Sequence, residues 1–179
     1  MSRPAGRSTN DWKNRKGDKD MISVYDELKK LKIEYEEVTH PPVYTIEEMQ
    51  ALHLDEKGEI CKNLFLSDDK GKKQFLVVLP GEKRADLKKL GEKLRVPKLR
   101  FASEKRLKQQ LDLEKGAVTP LGVVNNEGHA LPVYVDKELK NKDRLGVHPG
   151  TNEATVFISF DDLLRYIEDC GNPIELISL

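Results

Sequence analysis

The sequence has little of what most dedicated chemistries require. Its two cysteines, Cys61 and Cys170, stand far apart and form no CxxC pair, so a reduced chain without a disulfide framework is expected. The four histidines, His40, His53, His129 and His148, show no metal-ligand spacing such as HExxH. No metal site is therefore expected. Neither a GxxxxGK[ST] phosphate loop nor a GxGxxG turn occurs, which argues against ATP-driven and dinucleotide-dependent chemistry, and no cofactor is implied. No apolar run approaches the ~20 residues that span a bilayer, and the N-terminus has no apolar stretch of a secretory signal. A cytoplasmic protein with no membrane partner is the expectation. What the chain does have is charge: 35% of its 179 residues are Asp, Glu, Lys or Arg, against 37% hydrophobic. That length and apolar content suit one domain with a real core and a densely ionic surface.

The formal net charge is zero, from 31 basic and 31 acidic residues, which taken whole argues against a nucleic-acid partner. The distribution says otherwise. Residues 70–108 carry fourteen Lys and Arg against four Asp and Glu, a net of +10 between two acidic flanks. Arg84 and Lys88, like Lys89 and Lys93, are like-charged pairs at i,i+4, which destabilise a helix unless an anion lies opposite. Arg84, Lys88, Lys89 and Lys93 are thus candidate contacts to a phosphate backbone, and a solvated lysine-rich face is the plainer alternative.

Residues 1–20 hold six basic and three acidic side chains and almost nothing apolar except Trp12. They read as a disordered basic leader: an engineered remnant, an RNA-contacting arm, or an extension upstream of an internal start at Met21. Residues 21–179 read as one globular domain. Ser23 opens a first helix, residues 34–38 a strand, and Thr45 with Glu48 a capping box. The apolar runs 60–66 and 74–79, joined by Asp68-Asp69-Lys70-Gly71, form a hairpin. Helices carrying Leu87, Leu90 and Leu94, and then residues 103–111, flank a short strand at 98–102. Strands at 121–124, 131–135 and 155–159 follow, and a last helix puts Phe160, Leu163, Leu164 and Ile167 on one face, with Gly171 past its end. Strands without regular βαβ alternation predict an α+β domain, a mixed and strongly twisted central sheet flanked by helices.

Three places could carry chemistry. Cys61 lies in an apolar strand, where cysteine usually behaves as a small buried hydrophobe rather than a nucleophile. Lys62-Asn63 interrupts the same strand, so one of the two must face the apolar side. A lysine there is costly unless it is partnered or lines a cavity, where it would suit an anionic ligand; an edge lysine snorkelling to water is the alternative. Gly116-Ala117-Val118-Thr119-Pro120 joins a glycine that lets backbone approach closely to a proline that fixes the loop, leaving N–H groups free for a carbonyl or oxyanion. His148-Pro149, followed by Asn152, is uninformative alone.

In order and spacing these motifs are specific. Lys62-Asn63-Leu64-Phe65-Leu66, the 68–71 turn into Phe75-Leu76-Val77-Val78, GxxxP at 116–120 and His148-Pro149-x-x-Asn152 before a strand together resemble the YbaK/ProX aminoacyl-tRNA editing superfamily. That group is related to the editing domain inserted in many bacterial prolyl-tRNA synthetases. The resemblance covers residues 21–179 and is strongest to the free-standing ProX branch. It implies hydrolysis of alanyl-tRNA(Pro), with tRNA(Pro) mischarged with alanine as partner and prolyl-tRNA synthetase as a second. It also implies that Lys62, Gly116 and His148 serve catalysis, that Asn63, Ala117, Pro120 and Asn152 shape the substrate site, and that water attacks the ester with help from the substrate's own ribose hydroxyl. Cysteinyl-tRNA(Pro) deacylation, a non-catalytic tRNA- or synthetase-binding module, and a thiol enzyme using Cys61 are the alternatives.

Overall fold

Nine consecutive residues, Glu59–Ser67, organise the molecule. In the computed structural model, which describes residues 23–179, they form strand β2 at the middle of an eight-stranded mixed sheet. The preceding elements are α1 (Val24–Lys30), β1 (Glu36–Thr39) and α2 (Ile46–Ala51). After β2 come β3 (Gln74–Pro80), α3 (Leu87–Leu94), β4 (Arg100–Phe101), α4 (Glu104–Leu111) and β5 (Val133–Asp136). The chain ends with β6 (Leu145–Val147), β7 (Ala154–Ile158), α5 (Phe160–Cys170) and β8 (Ile174–Ile177). The sheet runs β1-β7-β6-β2-β3-β5-β8, with β4 on the side of β2 away from β3. The β2–β6, β3–β5 and β5–β8 pairs are parallel and the rest antiparallel, so the sheet is mixed as the sequence implies.

Two helix starts follow caps read from the sequence, at Ser23 and Thr45, and a third, at Ser159, is supplied by the structure. The Ser23 side chain accepts the Tyr25 N–H, Thr45 that of Glu48, and Ser159 that of Asp162. Each such cap contributes about 1 kcal/mol by satisfying an amide that the helix leaves orphaned. The two faces of the β2–β3 ribbon supply two cores. Cys61, Phe65, Leu76 and Val78 point into the larger one, shared with α4 and α5; Leu64, Leu66, Val77 and Leu79 point into a smaller one under α3. A third cluster, including Met49, Ile60 and Phe157, seats α2.

One strand expectation is corrected. Residues 121–124 lie in a 3-10 helix, Pro120–Asn125, because Pro120 supplies a fixed φ at the first turn and Thr119 caps it by accepting the Leu121 N–H at 3.3 Å. The buried Tyr166 hydroxyl donates to the Leu121 carbonyl at 2.7 Å and pins this turn to α5. The leader 1–20 and the start proposed at Met21 lie outside the described residues. Among the described residues no helix is long and apolar enough to cross a membrane.

Candidate functional site

The sheet forks at β2. On one side β3 accompanies it from Cys61 to Ser67. On the other, β6 pairs only with Glu59 and Ile60, and β4 only with Leu66 and Ser67. The stretch between them has no strand neighbour on that side. A cleft of about 1060 Å³ opens there, lined in part by Lys62, Asn63, Arg84, Gly116 and His148.

The fork explains why two polar residues interrupt an apolar strand. Lys62 shares its face with Leu64 and Leu66, and Asn63 shares the other with Cys61 and Phe65, so each face loses one apolar residue where the cleft opens. The Lys62 ammonium donates to the Lys83 backbone carbonyl at 2.8 Å. One of its three donors is used and two remain for a ligand. The Asn63 amide donates to the Val118 carbonyl at 3.2 Å, tying the Gly116 loop to β2, while its buried Oδ1 has no partner among the described residues.

The loop is held from both ends. Gly116 adopts φ +87°, and a Cβ there would lie 2.9 Å from the Tyr44 ring, so the glycine is required both by its backbone and by the ring above it. Tyr44 is itself positioned by a reciprocal pair: the Val43 N–H donates to the Asn152 carbonyl at 3.2 Å, and the Asn152 side-chain amide donates to the Val43 carbonyl at 3.1 Å. Asn152 therefore braces the segment leading into Tyr44 and does not itself line the cleft. Ala117 and Pro120 are buried behind the loop.

His148 lies at the cleft with its Nδ1 3.0 Å from the Ala154 carbonyl. A carbonyl only accepts, so Nδ1 carries the proton and Nε2 is left as an acceptor. Burial lowers its pKa and the Ala154 hydrogen bond only partly offsets this, with nearby His40 pushing in the same direction as burial. The imidazole is therefore neutral near pH 7. Because the unfolded chain takes up this proton near the ordinary histidine value and the folded chain resists it, His148 costs stability as pH falls below about 6.5. The stability difference between the wild type and His148→Gln is expected to shift against the wild type between pH 7.5 and 5.5, read from urea midpoints.

Cys61 is buried, its thiol donates to the Glu59 carbonyl at 3.8 Å, and burial pushes its pKa far up. A thiol held protonated is a poor nucleophile. Of the basic candidates, Arg84 lines the cleft but lies before the Asp86 cap and so off α3, which corrects its reading as a helical i,i+4 partner of Lys88. Lys88, Lys89 and Lys93 do not line the cleft, and the Lys93 ammonium is turned to the Ser178 carbonyl. Three residues of the site have no signal in the sequence. Tyr44 and Phe101 are 69% and 62% exposed at its rim, and Lys83 holds Lys62 through a backbone carbonyl, an atom every residue has.

Comparison with known proteins gives this geometry a setting. A family model described as an aminoacyl-tRNA editing domain matches residues 40–166. The prolyl-tRNA editing protein ProX of Acetoanaerobium sticklandii is 44% identical over 157 residues, 88% of this chain and 96% of that protein. A prolyl-tRNA synthetase associated domain-containing protein of Danio rerio is 37% identical over 153 residues, 84% of this chain and 83% of its own. Among solved structures, a candidate trans-editing enzyme for prolyl-tRNA synthetase superimposes with a TM-score of 0.62 at 24% identity, over 81% of this chain and 87% of that one. At that identity the likeness speaks for the fold alone.

Proposed function

The chain belongs to the aminoacyl-tRNA editing family, and from that premise we propose that it hydrolyses alanyl-tRNA(Pro) in trans, in the cytoplasm, releasing alanine and free tRNA. Water adds to the ester carbonyl, the bond to the ribose oxygen breaks, and the proton lost by water returns to that oxygen. A hydroxyl of the same ribose assists the water, so the protein needs no nucleophile of its own. The observation that carries this reading is the meeting of Lys62, Gly116 and His148 at one cleft.

The remaining donors of Lys62 bind the terminal nucleotide's phosphate or the ester oxygens. The Ala117 N–H already donates to the Glu114 carbonyl at 3.1 Å, so the remaining backbone N–H groups of the loop starting at Gly116 hold the aminoacyl carbonyl, and charge developing on that oxygen is stabilised without solvent reorganisation. Neutral His148 offers Nε2 to a donor on the substrate, either its amino group or the ribose hydroxyl. Asn63 sets the loop against β2, and Ala117, Pro120 and Asn152 act from behind, through the position of the loop and of Tyr44. Alanine over proline is a steric choice, since a small pocket rejects a larger ring more readily than the reverse. Arg84, with Lys88, Lys89 and Lys93 farther out, supplies positive potential for the tRNA, and prolyl-tRNA synthetase is a candidate second partner.

The test is deacylation of alanyl- and cysteinyl-tRNA(Pro) by the wild type and Lys62→Ala. Loss of one charged donor at a developing oxyanion costs about 10²–10³ in rate, so the variant should fall by that factor on the alanyl ester. Equal turnover by both proteins would refute the lysine's role. Release of cysteine alone would assign the protein to the cysteinyl branch, and tRNA binding without release of either would make it a non-catalytic module.

A further inference from the structure

The cations of the basic middle differ from those elsewhere in the described chain. Of the fourteen Lys and Arg in residues 70–108, only Lys83 and Lys108 form ion pairs within the described residues. Of the eleven others described, six do: Lys30, Lys57, Lys115, Lys142, Arg144 and Arg165. Acidic residues are plentiful, so the pairing is selective. The fold then gathers six of the unpaired cations on one edge. β4 lies on the end of β2, with Arg100 opposite Ser67 and Phe101 opposite Leu66, beside the turn carrying Lys70, Lys72 and Lys73. Lys105 and Arg106 follow on α4, and the Arg106 guanidinium reaches within 3.0 Å of the space a Cβ on Gly71 would fill, so helix and turn are in contact.

The acids on this edge offset the cations only in part, three against six, and the Lys73 backbone N–H and charge help hold the Asp68 carboxyl below its usual range. Asp68 accepts the backbone N–H groups of Lys72 and Lys73 at 2.7 and 3.1 Å, and Glu104 lies 4.0 Å from Lys115. Asp69 is the remaining one. Between this edge and the cleft stands Phe101, 62% exposed and lining both. An exposed aromatic beside unpaired cations fits an unstacked base with its phosphate, because stacking uses a ring face and the backbone needs positive charge.

We infer that the acceptor end of the tRNA leaves the cleft over this edge, with an unpaired 3′ base stacked on Phe101 and the following phosphates on Lys72, Lys73 and Arg100. The direct contacts run over this edge; the lysines of α3, none of which lines the cleft, add only longer-range positive potential. The inference rests on the editing reading above, since it is the ester that must enter the cleft.

An uncharged acceptor-stem minihelix with its single-stranded 3′ end tests it without turnover, by fluorescence anisotropy across a salt series. Replacing Lys72, Lys73 and Arg100 together with alanine should weaken binding at least tenfold at 0.1 M salt. The slope of log K against log salt should fall by about 2–3, at ~0.7–0.9 for each phosphate no longer neutralised. Phe101→Ala should weaken binding about 5- to 100-fold with the slope unchanged, and should have no effect on a blunt minihelix lacking the 3′ nucleotides. The triple alanine variant of Lys88, Lys89 and Lys93 should change both quantities less than the edge variant does. A larger loss from the α3 variant, or no change from the edge variant in a protein of unchanged circular dichroism, overturns the inference. Wild-type protein that binds the minihelix through this edge but hydrolyses no ester would refute the editing reading and leave the edge standing. Normal hydrolysis with an unaltered KM in the edge variant would do the reverse.

Discussion

Replacing Gly116 with alanine is expected to lower kcat/KM on alanyl-tRNA(Pro) at least 100-fold while costing only about 1–2 kcal/mol of stability. At φ +87° an L-residue sits in the left-handed region, where Cβ crowds the following carbonyl at a cost of about 1–2 kcal/mol. The new Cβ would also lie 2.9 and 3.1 Å from two atoms of the Tyr44 ring, closer than carbon atoms tolerate. Tyr44 is 69% exposed, so its ring can swing into solvent without opening the core. The fold therefore absorbs the collision cheaply. The site does not, because relief comes from moving the loop or the ring that covers it. Displacing a group that positions substrate by ~1 Å costs on the order of 10²-fold in rate. At 2–4 °C per kcal/mol for a chain of this size, the melting temperature should fall by about 2–8 °C. Turnover and melting measured on one preparation separate the two effects, and full turnover by Gly116→Ala would refute the proposal that this loop holds the aminoacyl carbonyl.

Much of the scaffold is legible in the sequence because its signals are local. The β2–β3 hairpin shows apolar runs on either side of Asp68-Asp69-Lys70-Gly71, and α5 shows one apolar face and a Gly171 just past its end, which the structure puts in the left-handed conformation. The parallel pairings are not legible. β6 is three residues long, β8 is a four-residue run just after a helix, and neither strand's parallel neighbour in the sheet is near it in sequence. The run 121–124 reads as a strand because burial on all sides makes any short element apolar, whether extended or coiled. The site divides the same way. Lys62-Asn63 stands out as two polar residues in an apolar strand, but the reason lies in partners that leave β2 unpaired along one side. Zero net charge conceals a basic segment, and only the fold separates cations that pair with acids from those that face solvent unpaired. Asn152 reads as part of the substrate site, yet its amide holds the Val43 backbone, a link between residues 109 positions apart.

Lys83→Met should lower both stability and turnover through separate consequences of one change. The Lys83 ammonium lies 2.8 Å from Asp136 and 2.8 Å from Glu138. Burial pulls its pKa down, but the hydrogen bonds to these two carboxylates outweigh that and hold it raised. Asp136 is 1% exposed, and its other oxygen caps a 3-10 turn by accepting the Glu138 N–H. Methionine keeps the unbranched stem, one atom shorter, and removes the charge, leaving a buried carboxylate without its cation. Breaking such a pair costs about 3 kcal/mol or more, so the melting temperature should fall by roughly 6–12 °C. The same ammonium anchors the segment whose backbone carbonyl receives Lys62, and once it is released that acceptor no longer has a fixed position. Turnover should drop about tenfold or more through kcat, with KM little changed, because Lys83 meets neither ester nor tRNA. Lys83→Met/Asp136→Leu separates the two consequences: replacing both partners with apolar groups removes the orphaned charge and should recover about half of the lost stability, the rest being the cap that Asp136 gives the Glu138 N–H. Turnover should stay low, since nothing in the double variant restores the anchor. If kcat recovers along with the melting temperature, Lys83 serves the fold alone and Lys62 is positioned by the cleft wall itself.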